Sequence, residues 1–173
     1  MRPSAIPAAT CLICFTMIGC SPATGPAVDR EANKNLARQF IEAINAADWG
    51  ALTAIVADDL VRHSAATPGP AVRSRDDFVA LQTESLASFP DQRVTIDALV
   101  AEGNLVAVRA TYSGTNTGPL QLPTGEVPAT GRRVELPFLG VLRIEEGQIR
   151  EMWVEWDNAA MMAQLGLSPP GNQ

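Results

Sequence analysis

Residues 133–157 read Arg-Val-Glu-Leu-Pro-Phe-Leu-Gly-Val-Leu-Arg-Ile-Glu-Glu-Gly-Gln-Ile-Arg-Glu-Met-Trp-Val-Glu-Trp-Asp. Two apolar-rich runs flank Glu145-Glu146-Gly147, a turn signal, so the stretch predicts a β-hairpin. Pro137 lacks an N–H and implies an edge or a bulge in the first strand, Arg133 to about Ile144. In the second strand, Gln148 to Trp156, alternation places Trp153, Glu155 and Asp157 on one face and Met152, Val154 and Trp156 on the other. A short helix, Asn158 to Leu165, closes the chain with Gly166 as its stop.

Working upstream, Val94, Ile96, Ala98 and Val100 alternate as a strand, and Glu102-Gly103-Asn104 turns into another from Leu105 to Ser113. The Gly/Pro/Thr-rich stretch 114–131 reads as a long loop, and loops of that length are usually functional or mobile. Before the strands come helices. Leu36, Phe40, Ile41 and Ile44 recur at helical spacing between about Asp29 and Ala47. Asp48-Trp49-Gly50 interrupts, and a second short helix carries Leu52, Ile55 and Val56. Leu60 to His63 is a brief extended piece before the loop Ser64–Pro70. Ser74 and Asp77 resemble a capping box for a helix that runs to Ser88, where Pro90 ends it. Helices first and consecutive antiparallel strands afterwards make an α+β fold, with helices packed on one face of a curved sheet. Such a sheet leaves a cavity under the helices, where ligands usually go.

Composition narrows the chemistry. Apolar residues make up 46% of the 173-residue chain and charged residues 18%, enough for one domain with a real core. The net charge of −6 argues against a nucleic-acid partner, which requires a basic patch. All three cysteines, Cys11, Cys14 and Cys20, precede residue 21, and His63 is the single histidine. The folded part therefore offers no disulfide and no thiolate metal site, and a single histidine nearly excludes a histidine-rich one, while a site built from carboxylates and water stays open. Acid–base chemistry from Asp, Glu, His63, Tyr112 and Arg remains.

Arg2 followed by the uncharged residues 5–18 has the layout of an export signal, too short to span a bilayer. It ends Met17-Ile18-Gly19-Cys20, which resembles a bacterial lipobox although leucine is usual where Met17 stands. The expected organisation is a lipoprotein-type signal peptide over residues 1–19 and a tether over 20–28. The folded domain then spans 29–168, with a tail over 169–173. Lipidation at Cys20 would anchor the protein in the bacterial cell envelope, outside the cytoplasm. Translation from Met17 would instead leave it cytoplasmic.

The order His63, then Ser88-Phe89-Pro90-Asp91, then Val106-Ala107-Val108-Arg109 and Gly114-Thr115 resembles the SnoaL-like ester and polyketide cyclases. Glu146-Gly147-Gln148-Ile149-Arg150-Glu151-Met152-Trp153, Asp157 and Gln164-Leu165-Gly166 continue the match. The resemblance spans about residues 33–167. It implies the nuclear-transport-factor-2-like (cystatin-like) cone: a curved, mostly antiparallel sheet with the N-terminal helices on its concave face. It also implies cofactor-free ring closure, with Asp157 as general acid/base and His63 beside the pocket. Many relatives carry Gly-Thr-His where this chain has Gly114-Thr115-Asn116, and Asn116 cannot shuttle a proton near neutral pH. Relatives are often homodimers through the sheet.

Asp157 as a base requires an inward carboxylate in a dry cleft beside Trp153, where desolvation raises its pKa. A simpler reading is a helix cap before Asn158. His63 suits proton transfer or is structural. Arg109 could hold a substrate oxygen or pair with Asp157 or Glu155. Asn116, Glu155 and Trp153 are further pocket candidates, and Tyr112 is an oxyanion donor or core. The expected activity is aldol cyclisation, or a related isomerisation or hydrolysis, of a small hydrophobic carbonyl or ester compound. The alternative is a non-catalytic ligand-binding or interaction lipoprotein of the same fold.

Overall fold

The computed structural model describes residues 29–66, 71–122 and 125–167. The signal and tether over 1–28, with Cys20, and the tail over 169–173 lie outside these residues.

Helix α1 (Arg30–Ala46) begins where the Asp29 carboxylate accepts the N–H groups of Glu31 and Ala32, both at 3.0 Å. It buries Phe40, Ile41 and Ile44 and ends at Ala47, which takes a left-handed conformation. Asp48 then caps α2 (Trp49–Ile55) through the Ala51 N–H at 2.9 Å. The interruption in the helical pattern is thus two caps back to back. Val56 is already extended and starts β1 (Val56–His63), so this strand is longer than the Leu60–His63 piece expected and takes Val56 from the second helix.

Helix α3 (Arg75–Ser88) has the expected box in a shifted form. Ser74 Oγ accepts the Asp77 N–H at 3.0 Å, while Asp77 accepts from Arg73, one residue before the cap. Phe78 on α3 stacks on Phe40 of α1 with centroids 5.6 Å apart, which locks the two helices together over the sheet.

The sheet consists of β2 (Arg93–Glu102), β3 (Leu105–Thr115), β6 (Arg133–Glu145), β7 (Gln148–Trp156) and β1, in the order β1-β7-β6-β3-β2. Only the β1–β7 pairing is parallel; the rest are antiparallel. Within the 114–131 stretch a small hairpin forms, β4 (Leu120–Leu122) with β5 (Gly125–Val127), so the expected loop is partly ordered into strand. Helix α4 (Asn158–Leu165) follows β7.

Pro137 lies on β6, which is central in the sheet, yet its expected edge character holds locally. Pairing with β7 stops at Phe138–Trp156, so residues before Phe138 have β3 on one flank and no strand on the other. Helix α4 fills that flank: Gln164 accepts the Glu135 N–H at 2.8 Å and donates to the Glu135 carbonyl at 3.0 Å.

Two apolar clusters fill the helix-covered side. The larger joins Phe40, Ile41, Leu52, Leu60, Phe78, Val106, Val108, Leu142, Ile149 and Met152, with Phe138 and Val154 against it. The smaller joins Phe89, Leu120, Val134 and Leu165, with Tyr112, Met161 and Met162 against it. α1 packs on β2 and β3, α2 and α3 pack on β1, and α4 shares the smaller cluster with the β4–β5 hairpin, all on a curled, cone-like sheet.

Candidate functional site

Bulges at Arg143/Ile144 and within β1 set which β7 residues face the helices. Ile149 and Met152 are buried in the larger cluster and Val154 packs on it, so Trp156 shares their covered face. The opposite face carries Trp153, Glu155 and Asp157, and all three are exposed. A dry cleft walled by Trp153 is therefore corrected. The core took the more apolar of the two alternating sets, as hydrophobic burial requires.

Asp157 sits where β7 passes into α4. Its Oδ1 accepts the Ala160 N–H at 2.9 Å, the capping role. Its Oδ2 takes no hydrogen bond among the described residues. Glu155 accepts the Ala65 N–H at 3.1 Å, tying the segment after β1 to β7. His63 is exposed, stacked on Trp153, and bonded through Nε2 to Glu151 at 2.7 Å. That bond, with Arg143 on the other Glu151 oxygen at 2.9 Å, holds the Glu151 carboxyl below the usual carboxylate range. The structure thus gathers His63, Trp153 and Glu155 into one patch, on the outer surface of the sheet.

Arg109 pairs with neither Asp157 nor Glu155. It is exposed on the outer face and meets Asp97 at 3.0 Å, an oxygen that Thr111 also donates to at 3.1 Å. Asn116, expected to face a ligand, is a staple instead. It is fully buried, and its amide nitrogen donates to the carbonyls of Ser88 (3.3 Å) and Gly118 (2.8 Å). Its carbonyl accepts the Thr130 N–H and hydroxyl at 2.8 and 3.0 Å. All four of its hydrogen bonds are made inside the protein, so none is left for a substrate.

Tyr112 lies inside. Its ring meets Phe89 edge-on at 6.0 Å, and its hydroxyl donates to Gln92 Oε1 at 3.3 Å, which Ser85 also bonds at 2.7 Å. Burial pushes the phenol up to about 12, so it stays protonated at neutral pH. Beneath β1, the Arg62 guanidinium lies 5.9 Å from the centre of the Trp156 ring, and burial lowers its pKa.

Gln92, Trp156 and Arg62 are the interior polar groups that sequence reasoning did not single out. Trp156 and Arg62 had a signal, since each alternates with core residues, Val154 and Leu60. Gln92, in the turn after Pro90, had none. Among the described residues the buried polar side chains are Ser88, Gln92 and Asn116, none of which titrates. No group of three or more His, Cys, Asp or Glu among them is placed to hold a metal ion.

A curled sheet with helices on one face and polar donors reaching into the covered side defines a cone-shaped α+β protein of the nuclear-transport-factor-2 type. A family profile described as SnoaL-like polyketide cyclase matches residues 34–165, and the chain belongs to that family. Its solved neighbours agree. TsrD from Streptomyces laurentii is 30% identical, with 80% of this chain and 98% of that one covered and a TM-score of 0.69. IdmH from Streptomyces antibioticus is 32% identical, with 78% and 98% covered and a TM-score of 0.66. An M. tuberculosis epoxide hydrolase described as LEH-like shares the fold at 18% identity, with 79% and 90% covered and a TM-score of 0.60. No curated protein matches the sequence.

Proposed function

We propose that this chain performs cofactor-free acid–base chemistry on a small apolar carbonyl compound, aldol ring closure or a related isomerisation or hydrolysis. One observation carries the reading. In a chain of the SnoaL-like family, Asp157 lies exposed at the junction of β7 and α4, with one oxygen fixed by the cap and the other unbonded among the described residues, so a substrate reaches it from the outer face and not from a dry cleft. In the ring-closing reaction, the unbonded oxygen takes a proton from the carbon α to a carbonyl, and the resulting enolate attacks a second carbonyl carbon. The alkoxide so formed recovers a proton from the Asp157 carboxylic acid, so the base is regenerated. Asn116 and Arg109 take no part, because both are committed elsewhere.

Asp157→Asn tests this directly. Asparagine caps a helix as well as aspartate does, so the fold is kept while the base is removed. Turnover of a keto-ester substrate should be lost with an unchanged melting curve. Retained turnover removes Asp157 from the mechanism.

A second reading, a carrier of apolar ligands, is favoured by the absence of a titrating side chain among the buried polar residues described. Thermal-shift screening with hydrophobic ketones and esters, followed by product analysis, separates the two. Tight binding without conversion favours the carrier.

We further propose, from residues 1–20, that the domain is exported and lipid-anchored at Cys20. Labelled palmitate should enter the wild type and not Cys20→Ala; equal labelling ends that assignment.

A further inference from the structure

Val100, Leu105, Leu139 and Trp153 are the exposed large apolar side chains among the described residues, and all stand on the uncovered face of the sheet. Val100 and Leu105 form a separate pair at its rim. They flank the Glu102-Gly103-Asn104 turn between β2 and β3, with 65% and 41% of their surface in water. Val100 pairs with Ala107, two residues on from Leu105, so both side chains project to the same side. Because β2 ends the sheet, Val100 has a strand on one flank only.

Helix α1 starts at this same rim. Asn33 in its first turn donates to the Gly103 carbonyl at 3.3 Å. Asp29, Arg30, Glu31 and Lys34 border one recess with Ala101, the neighbour of Val100. Eight residues, 21–28, separate Asp29 from Cys20. Even fully extended, that length of chain reaches no more than roughly 32 Å. A lipid on Cys20 therefore keeps the turn near the bilayer, with β1 and α3 at the opposite edge of the sheet.

We infer that the β2–β3 rim is the surface this domain lays on a lipid bilayer, with Val100 and Leu105 entering the headgroup boundary. The inference rests on the reading that Cys20 carries a lipid, and it needs no part of the Asp157 chemistry. A stable protein interface covers about 800 Å² per partner, far more than two side chains at a rim supply. A bilayer to which the chain is already anchored needs much less, because tethering supplies a high effective concentration. Arg30 and Lys34 are balanced by Asp29, Glu31 and Glu102, so apolar contact and not attraction to anionic lipid holds the rim down.

The test uses the full-length, processed chain in vesicles, with a maleimide dye on Glu102→Cys at the turn or on Glu84→Cys, exposed on α3. Processing removes Cys11 and Cys14 and blocks Cys20, so the dye marks the introduced thiol. At position 102 the dye should lose about half or more of its emission to lipids brominated in the upper acyl chain, since interfacial surfaces enter roughly 5–10 Å. At position 84 it should lose none. Val100→Asp with Leu105→Asp should restore the emission at 102 while palmitate still enters, and Val100→Ser with Leu105→Ser is the milder pair should the first fold poorly. Vesicles of phosphatidylcholine, alone or mixed with phosphatidylglycerol, should quench alike.

Equal quenching at 84 and 102, or none at 102 in a chain that takes up palmitate, overturns the inference and leaves the anchor standing. Quenching confined to the anionic vesicles, or unchanged in both double variants, overturns it as well. A dye at 102 that becomes shielded from iodide as protein concentration rises, without vesicles, would assign the rim to a second copy instead. A chain that takes up no palmitate loses the anchor, and the inference with it.

Discussion

His63 lies flat on Trp153, with ring centroids 5.3 Å apart and planes within 12°. The stack is on the outer face of the sheet, and the histidine side chain is 45% exposed. His63→Ala should therefore cost no more than about 1 kcal/mol in urea unfolding. Turnover lost in His63→Ala with its stability intact would return this histidine to the mechanism.

Glu151 gives the same patch a pH signature. His63 and then Arg143 hold its folded pKa below the unfolded value. Its contribution is thus present above the unfolded pKa and lost as pH falls through the folded one. The stability gap between wild type and Glu151→Gln should be open above about pH 5 and close toward about pH 3. A gap independent of pH would contradict the pairing.

Asn116 is a fully buried staple, and its exchange for histidine should not be tolerated. Asn116→His cannot reproduce two donors and two acceptors on a fully buried side chain. We expect a loss of about 2–4 kcal/mol in the unfolding free energy obtained by denaturant titration, from two or more buried groups left unpaired. A neutral substitution would show that the staple is not what orders residues 114–131.

Tyr112 is the single tyrosine, so its ionisation can be followed by tyrosinate absorbance alone. It should titrate at about 12 in the folded protein. Because the folded value lies above the unfolded one, its contribution is complete below the unfolded pKa of about 10 and is lost as pH rises through the folded value. A normal titration in the folded state would place the ring in water.

Gly118 packs so closely on the end of α3 that an added Cβ would sit 2.0 Å from the Ala87 carbonyl oxygen. Backbone cannot give way as a flexible side chain can. Gly118→Ala should cost about 2 kcal/mol or more and shift the 114–131 segment. Thermal melting that matches the wild type would refute this packing.

Much of the fold was legible because turn chemistry marks boundaries. Glu145-Glu146-Gly147 and Gly166 give β7 and α4 their ends, and Asp29, Asp48 and Ser74 mark helix starts through side chains that serve backbone N–H groups. The β4–β5 hairpin escaped notice because three-residue strands are too short to show a period. The site was less legible. Alternation divides β7 into two faces but does not say which one the helices cover, and a tryptophan on each face made both plausible. Trp153 drew attention to Glu155 and Asp157, whereas the indole N–H shielded from solvent is that of Trp156. Gln92 is held inside because its Oε1 accepts from the hydroxyls of Ser85 and Tyr112, 7 and 20 residues away along the chain, which no local pattern encodes.

The Gln164 amide treats Glu135 as a neighbouring strand would, offering one donor and one acceptor to the bare flank of β6. Helix α4 thereby acts as a stopper on lateral growth of the sheet. A chain cut before Asn158 would present an open backbone ladder to its own copies, and self-association through that flank is the outcome to expect.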